Sequence, residues 1–453
     1  MLIEPWLSRA ARAHPQRVAL RTPTESLSYA ELAVRARSAS AWLSERGVGP
    51  QTRVALALPG GAGFAAVLHG ALALGAVVAP VDPRLGPRER ATVVAGAAVV
   101  VEAPIEAQAG LVSQPAEPGA GAGAGAGARI KHDLASTAVV MHTSGTSGTP
   151  KPVALSYANL LWSALGSAVA LGLDPGERWL CALPVAHVGG LSILLRSAIY
   201  ATTAIVLERF DTEAVLDELH RADGPTLISL VPTTLARLLD AGLRHPPTLR
   251  CALIGGGPVA PVLLQRARAA GVRVSETYGL TEACSQVTTA APGEGGADAG
   301  APLFCTRVGI AADGEILVSG PTVAAGARGP DGWLSTGDLG ALDATGRLTV
   351  TGRKADTIVS GGENVAPTEV EAVLLEHPGV SEAAVCGRPD SEWGEAVVAI
   401  VVPVAGAGVG IAELRDHCAA RLARFKVPKD FVFGTELPRT PSGKLLRRAL
   451  HVG

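Results

Sequence analysis

Short strand-like runs alternate with stretches of helical period through most of the chain, and this alternation limits the possible folds more than any other feature. RVALALP (53–59), AVVAPV (76–81), TAIVLE (203–208), TLISLVP (226–232) and RCALIGGG (250–257) are separated by Ala/Leu/Arg-rich segments. Such a pattern predicts an α/β fold of layered, largely parallel sheets flanked by helices. Several of the runs end in Gly or Pro, and loops at the carboxyl edge of a parallel sheet are where ligands collect. A chain of 453 residues is too long for one ordinary core and predicts about two to four lobes.

Hydrophobic residues make up 48% of the chain but aromatics only 4%, so the core is expected to consist of small aliphatic side chains. A formal net charge of −2 leaves no basic excess to neutralise a nucleic-acid backbone or hold an anionic membrane surface, which disfavours both as partners. Cys181, Cys251, Cys284, Cys305, Cys386 and Cys418 form no C-x-x-C pair, which argues against a zinc site or a disulfide framework. The N-terminal MLIEPWLSRAARAHPQR lacks an apolar stretch followed by a small-residue cleavage site, so a cytoplasmic location is expected. The longest apolar run, 64–81, is interrupted by His69 and ends in Pro80, Asp82 and Pro83. It predicts a buried helix leading into a strand rather than a membrane span.

The segment 114–128, QPAEPGAGAGAGAGA, has no side chains that build a core and reads as a mobile surface connection; the Gly/Ala-rich 291–301 reads the same way. Towards the C-terminus the texture changes to short strands with Gly turns, then a helix in PTEVEAVLLEHPGV, a strand pair around AAVCGRPD and EAVVAIVVPV, and a helix in IAELRDHCAARLARF. We place a hinge at Arg353/Lys354. It divides a large N-terminal domain, 1–353, from a small mobile α+β domain, 354–453.

The segment 143–151 carries the densest chemistry. Thr143, Ser144, Gly145, Thr146, Ser147, Gly148 and Lys151 follow the strand-like TAVVMH and precede a helix beginning near Tyr157. Hydroxyls and glycine N–H groups so closely spaced can wrap phosphate oxygens, while the lysine adds a point charge. The Walker spacing Gly-x-x-x-x-Gly-Lys-Ser/Thr is absent, and taken alone the segment also fits a plain Ser/Gly connector.

Further motifs follow in order: ALGAVVAPVDPRL (74–86), ETYGLTEA (276–283), STGD (335–338), TGRKADTIVSGGENVAPTEVE (351–371) and PRTPSGKLLRR (438–448). Together with TSGTSGTPK they resemble the adenylate-forming ligase superfamily, which includes acyl-CoA synthetases, luciferases and peptide-synthetase adenylation domains, along nearly the whole chain. The resemblance implies an AMP-forming acid–CoA ligase that uses ATP, Mg²⁺ and coenzyme A. By motif, 143–151 would hold the β- and γ-phosphates and Glu282 would ligate Mg²⁺. Thr281 would approach the α-phosphate, Tyr278 would lie against adenine beside Gly255, Gly256 and Gly257, and Asp338 and Arg353 would hold the ribose. Lys444 would swing in to stabilise charge at the α-phosphorus. Lys354 matches the hinge, and Gly361 and Gly362 match a loop that faces CoA in the second half-reaction. Pro152 departs from the family, which usually has Gly there, and puts the backbone geometry at Lys151 in question.

The strings PVAHVGGLSILLRSAIY (184–200), LIGGGPVAPVLLQRA (253–267) and ETYGLTEACSQVTT (276–289) are most similar to the branch of that superfamily acting on o-succinylbenzoate. In that branch His187, Leu191 and Thr277 would line the acyl pocket, His187 with a part in catalysis, and Arg196 would face the second carboxylate. A packed core histidine and an outward helix face are the plainer readings of His187 and Arg196. Another aryl or medium-chain acid is the alternative substrate. A peptide-synthetase module is disfavoured because no carrier segment follows Lys444. A silent nucleotide- or acyl-binding regulator would require loss of the motif side chains, all of which are present. A homodimer is compatible with the sequence.

Overall fold

The computed structural model describes residues 1–105, 131–144, 150–294, 296, 298–439 and 445–450. The repetitive 114–128 segment, Gly145, Thr146, Ser147, Gly148 and Lys444 lie outside the described residues. In the larger of two α/β layers, Val274–Leu280, Cys251–Ile254, Leu227–Leu230, Arg178–Cys181, Thr203–Val206 and Val18–Arg21 run parallel in that spatial order. Antiparallel strands close both edges of this nine-stranded sheet. Every position of Leu227–Leu230 and Cys251–Ile254 is buried, as strands covered on both faces require.

A second, five-stranded sheet sets Val99–Val101, Arg53–Leu56, Val77–Pro80 and Thr137–Ser144 parallel, with Pro150–Ser156 added antiparallel at its edge. The apolar run at 64–81 folds into the helix Ala62–Ala73 and the strand Val77–Pro80. Small residues let that helix sit close to its neighbour Tyr29–Ser44. A Cβ on Gly70 would lie 2.6 Å from the carbonyl oxygen of Ala36. No described helix is long and apolar enough to cross a membrane. Helix starts are set locally: Ser28 and Ser156 each accept from the backbone N–H three residues on, closing capping boxes with Glu31 and Asn159.

A four-stranded antiparallel sheet follows, made of Arg307–Ile310, Glu315–Ser319, Leu334–Leu342 and Leu348–Arg353. At its exit Lys354 begins a short 3₁₀ turn, and its ammonium bonds Asp313 at 2.6 Å and Glu315 at 3.1 Å. Beyond it the hairpin Ile358–Ser360/Glu363–Val365, the long strands Val380–Asp390 and Gly394–Pro403, and Asp430–Phe433 form a mixed sheet. The helices Pro367–Leu375 and Ile411–Ala419 share with this sheet an apolar core that includes Val370, Leu374, Val397, Leu414 and Phe431.

The described residues of the 291–301 segment are pinned rather than loose. Gly293 N–H donates to Val274 O at 3.1 Å, Gly296 N–H to a Glu276 carboxylate oxygen at 2.9 Å, and Gly300 N–H to Asp298 at 2.8 Å. Gly300 also packs so closely that a Cβ would fall 2.0 Å from the backbone nitrogen of Ala290. Composition showed only that the segment builds no core; backbone donors at Gly293, Gly296 and Gly300 hold these positions instead.

Candidate active site

Three distant segments meet at one carboxylate. The Tyr278 hydroxyl donates to one oxygen of Asp338 at 2.8 Å, and Arg353 Nε lies 3.0 Å from the other. Strand register places Asp338 directly opposite Arg353. Asp338 N–H donates to Thr336 Oγ1 at 3.1 Å, which fixes the strand at the STGD motif. Burial first, and then the negative charge of Asp338, hold the Tyr278 hydroxyl well above its ordinary pKa, so it remains a neutral donor. The Asp338 side chain is 9% exposed while that of Arg353 is 59% exposed, so the pair opens on solvent rather than being sealed in a core. A carboxylate has about four acceptor positions, so Asp338 keeps capacity for further donors.

Beyond Tyr278 the strand irregularity at Tyr278/Gly279 turns the chain toward Glu282. A Cβ on Gly279 would lie 1.8 Å from Ser285 O, so only glycine permits this reversal. The 3₁₀ turn Thr281–Ala283 then presents Glu282, whose backbone carbonyl is anchored by Ala324 N–H at 2.8 Å. Among the described residues no three His, Cys, Asp or Glu side chains gather as a metal cage. Glu282 offers a single carboxylate oxygen donor, the type a hard cation takes alongside water and phosphate oxygens.

Gly255 packs against Thr277: a Cβ there would meet Thr277 Cγ2 at 2.8 Å and its carbonyl oxygen at 3.0 Å. Gly256 has a φ of 79°, in the left-handed region that favours glycine. Thr277 Oγ1 donates to Thr288 O at 2.7 Å and lies 3.0 Å from Thr289 Oγ1, which also receives Gln286 Nε2 at 2.8 Å. Gln286 and Thr289 were not singled out from the sequence, although both lie in the TEACSQVTT string; strand register sets Thr289 opposite Thr277, and Gln286 joins through its bond to Thr289.

Thr143 and Lys151 face one another in register at the mouth of the 143–151 segment, and Lys151 is exposed. Pro152 stands opposite His142 within an unbroken strand. An edge strand tolerates proline because one side of its ladder is unpaired, so the departure from glycine leaves Lys151 in place. Arg53, which the motifs did not mark, reaches His142: Nη2 to Nε2 is 3.2 Å. Burial, then the charge of Arg53, pushes His142 down to about 4, leaving a neutral ring that accepts from the guanidinium.

On the acyl side, His187 precedes the helix Val188–Tyr200 and lies 3.6 Å from Asp82. Asp82 accepts from Arg84 through its N–H at 3.0 Å, Nε at 2.8 Å and Nη2 at 2.6 Å. Burial acts to raise the Asp82 carboxyl, but these bonds and the neighbouring charges outweigh it and hold the group low. The motif ALGAVVAPVDPRL thus contributes a partner for His187, which sequence reading missed. Leu191 is buried in the main core cluster. Arg196 lies nine residues beyond His187, about 13 Å along the helix, so the two do not adjoin. It is buried rather than outward-facing. It donates to Ser163 at 3.1 Å and stands 5.5 Å from the Trp179 ring centroid, and its Nε has no partner among the described residues. Burial lowers its pKa.

In the small domain Gly361 and Gly362 form the hairpin turn with φ of 61° and 83°. Gly361 N–H donates to Trp393 O at 2.8 Å, and a Cβ would press to 3.1 Å from the Trp393 ring. Lys429 Nζ lies 4.3 Å from the centroid of the same ring. Trp393 and Lys429 carry no signal in the motifs.

A parallel-rich α/β body that carries the Tyr278–Asp338–Arg353 cluster and is followed by a smaller mixed-sheet unit is the architecture of a nucleotide-binding enzyme class. The chain belongs to the AMP-binding enzyme family, whose model matches residues 7–326, with the AMP-binding enzyme C-terminal domain matching 369–444. It is 36% identical over 480 residues to the 2-succinylbenzoate–CoA ligase of Bacillus subtilis (strain 168), covering 98% of this chain and 97% of that protein. Identity to the 2-succinylbenzoate–CoA ligase of Bacillus licheniformis is 38% over 478 residues, with 98% of each covered. Among solved structures, the o-succinylbenzoate CoA synthetase from Bacillus subtilis in complex with its acyl-adenylate intermediate superposes with a TM-score of 0.87 at 34% identity, covering 100% of this chain and 99% of that one. A double mutant of that synthetase bound to a product analogue gives 0.69 at 35% identity, covering 99% and 98%.

Proposed function

We propose that this chain is an AMP-forming acid–CoA ligase whose acid is 2-succinylbenzoate. In the first half-reaction the acid carboxylate attacks the α-phosphorus of ATP, giving acyl-AMP and pyrophosphate. In the second the CoA thiol attacks the acyl carbon and AMP leaves with the C–O bond pair. The convergence of Tyr278, Asp338 and Arg353 carries this reading, because it supplies one buried, hydrogen-bonded carboxylate with acceptor capacity for vicinal hydroxyls.

Asp338 accepts from the ribose hydroxyls and Arg353 holds that carboxylate in place. Tyr278 and the 255–257 glycines flank the base, and Thr143 and Lys151 border the phosphates. Mg²⁺ held at Glu282 neutralises phosphate charge when bound. Lys444 supplies positive charge to the first step, and the small domain turns about Lys354 to bring Gly361 and Gly362 to the pantetheine in the second. The greater likeness to the acyl-adenylate complex than to the product-analogue complex supports an arrangement suited to the first step.

Arg196 supports a dicarboxylate. It is a buried guanidinium without a carboxylate partner among the described residues, and such a charge is costly unless a ligand neutralises it. Pyrophosphate release and thioester formation measured with ATP, CoA and a panel of 2-succinylbenzoate, benzoate and octanoate test the proposal. Turnover of 2-succinylbenzoate at least tenfold above the others is expected. Brisk turnover of benzoate or octanoate without 2-succinylbenzoate would overturn the substrate, and no pyrophosphate with any acid would overturn the reaction.

A further inference from the structure

The helix Tyr157–Leu171, which follows the 143–151 segment, turns an apolar stripe to solvent. Trp162, Leu165 and Val169, spaced i, i+3 and i+7, are 36%, 39% and 66% exposed, and Leu173 just past the helix end is 51% exposed. The stripe is widened by Phe304, 58% exposed, whose ring centroid lies 6.2 Å from that of Trp162. Gly166 lets the 303–305 turn lie close: a Cβ there would meet Leu303 Cδ1 at 2.9 Å and Cys305 Sγ at 3.0 Å and push those side chains aside. The far end is finished by Arg250, which donates to Leu171 O at 2.5 Å and Gly172 O at 3.1 Å. The backbone there presents carbonyls that are already satisfied.

We propose that this face is an isologous interface through which two copies of the chain associate. Charge and area decide the occupant. Residues 157–173 contain no Asp, Glu, Lys or Arg. Across a twofold axis a residue meets its own copy or a near neighbour, so a charged helix would repel itself and this one does not. A helix that lies in a membrane surface instead carries Lys and Arg beside its apolar face, and this helix has neither. The five exposed side chains offer on the order of 500 Å² of apolar surface, at the upper end for a monomer. Doubled by symmetry, that reaches the roughly 1,000 Å² that a specific interface needs.

Sedimentation velocity or light scattering of the full chain at tens of micromolar tests the proposal. The expected mass is twice the chain mass of 45.9 kDa. Val169→Asp and Leu165→Glu, at exposed positions that tolerate charge, are expected to give the single-chain mass or to raise the dissociation constant at least tenfold while keeping ligase activity. Val404→Asp, at a 41% exposed position of the small domain, is the control and is expected to remain dimeric. A wild-type chain of monomer mass, helix variants that dimerise as tightly as wild type, or equal dispersal by Val404→Asp would each overturn the interface. Because activity is read separately, a failure here leaves the ligase assignment untouched.

Discussion

The hydroxyl of Tyr278 reaches the carboxylate of Asp338 at 2.8 Å across 60 residues of chain, while Arg353 closes on the opposite oxygen. Removing the donor in Tyr278→Phe deletes one hydrogen bond to a charged group, worth about 1.5–3 kcal/mol. A fall of about 10- to 100-fold in kcat/KM for ATP is expected, with Asp338→Asn at least as severe. Steady-state pyrophosphate release at varied ATP checks this, and unchanged ATP kinetics in both variants would remove Asp338 from the nucleotide site.

Arg196 offers a separation of stability from function. Replacing a buried, unneutralised cation by an apolar side chain of similar length is often neutral or stabilising. Arg196→Met is therefore expected to keep or raise Tm while KM for 2-succinylbenzoate rises by about 100-fold, with the KM for ATP little changed. Thermal unfolding and kinetics on the same preparation decide it; a large loss of Tm with unaltered acid selectivity would make Arg196 purely structural.

Lys444 is expected to serve only one half-reaction. In Lys444→Ala, acyl-AMP formation should fall to background while transfer from supplied acyl-AMP to CoA proceeds near the wild-type rate. Rapid-quench assays of each half-reaction make the comparison, and equal loss in both contradicts the role.

Stability should decline under mild acid. Burial lowers His69 to about 4, and burial with the nearby His69 lowers His132 to about 3. Both stay neutral in the fold but protonate near 6.5 when unfolded, so lowering pH from that value toward 4 favours the unfolded chain. Between pH 7.5 and 5.5 each should cost roughly 1 kcal/mol. Denaturant unfolding at the two pH values measures the loss, and His132→Gln should shrink it; a stability independent of pH in this window would contradict neutral burial.

Much of the architecture was legible because its causes are local. Apolar strands buried on both faces read as short continuous runs, the helix expected near Tyr157 begins there, and the broken run at 64–81 describes its own helix-to-strand passage. The motif residues Tyr278, Glu282, Asp338 and Arg353 were visible as types in a pattern. Asp82, Arg53 and Trp393 were not, because each acts through a partner far along the chain.

What the sequence by itself determined was the layered α/β class and the chemical groups available to a nucleotide and an acid. Only the tertiary structure decided which of those groups meet: Asp338 with Tyr278, His187 with Asp82, Arg196 with Ser163 but not with His187. The physical reason is that backbone preference and periodicity are set within a few residues, whereas the buried face of a helix is chosen by what packs on it. The helix Tyr157–Leu171 is apolar on nearly every side, so no spacing within it foretold that Trp162, Leu165 and Val169 would be the residues left facing water.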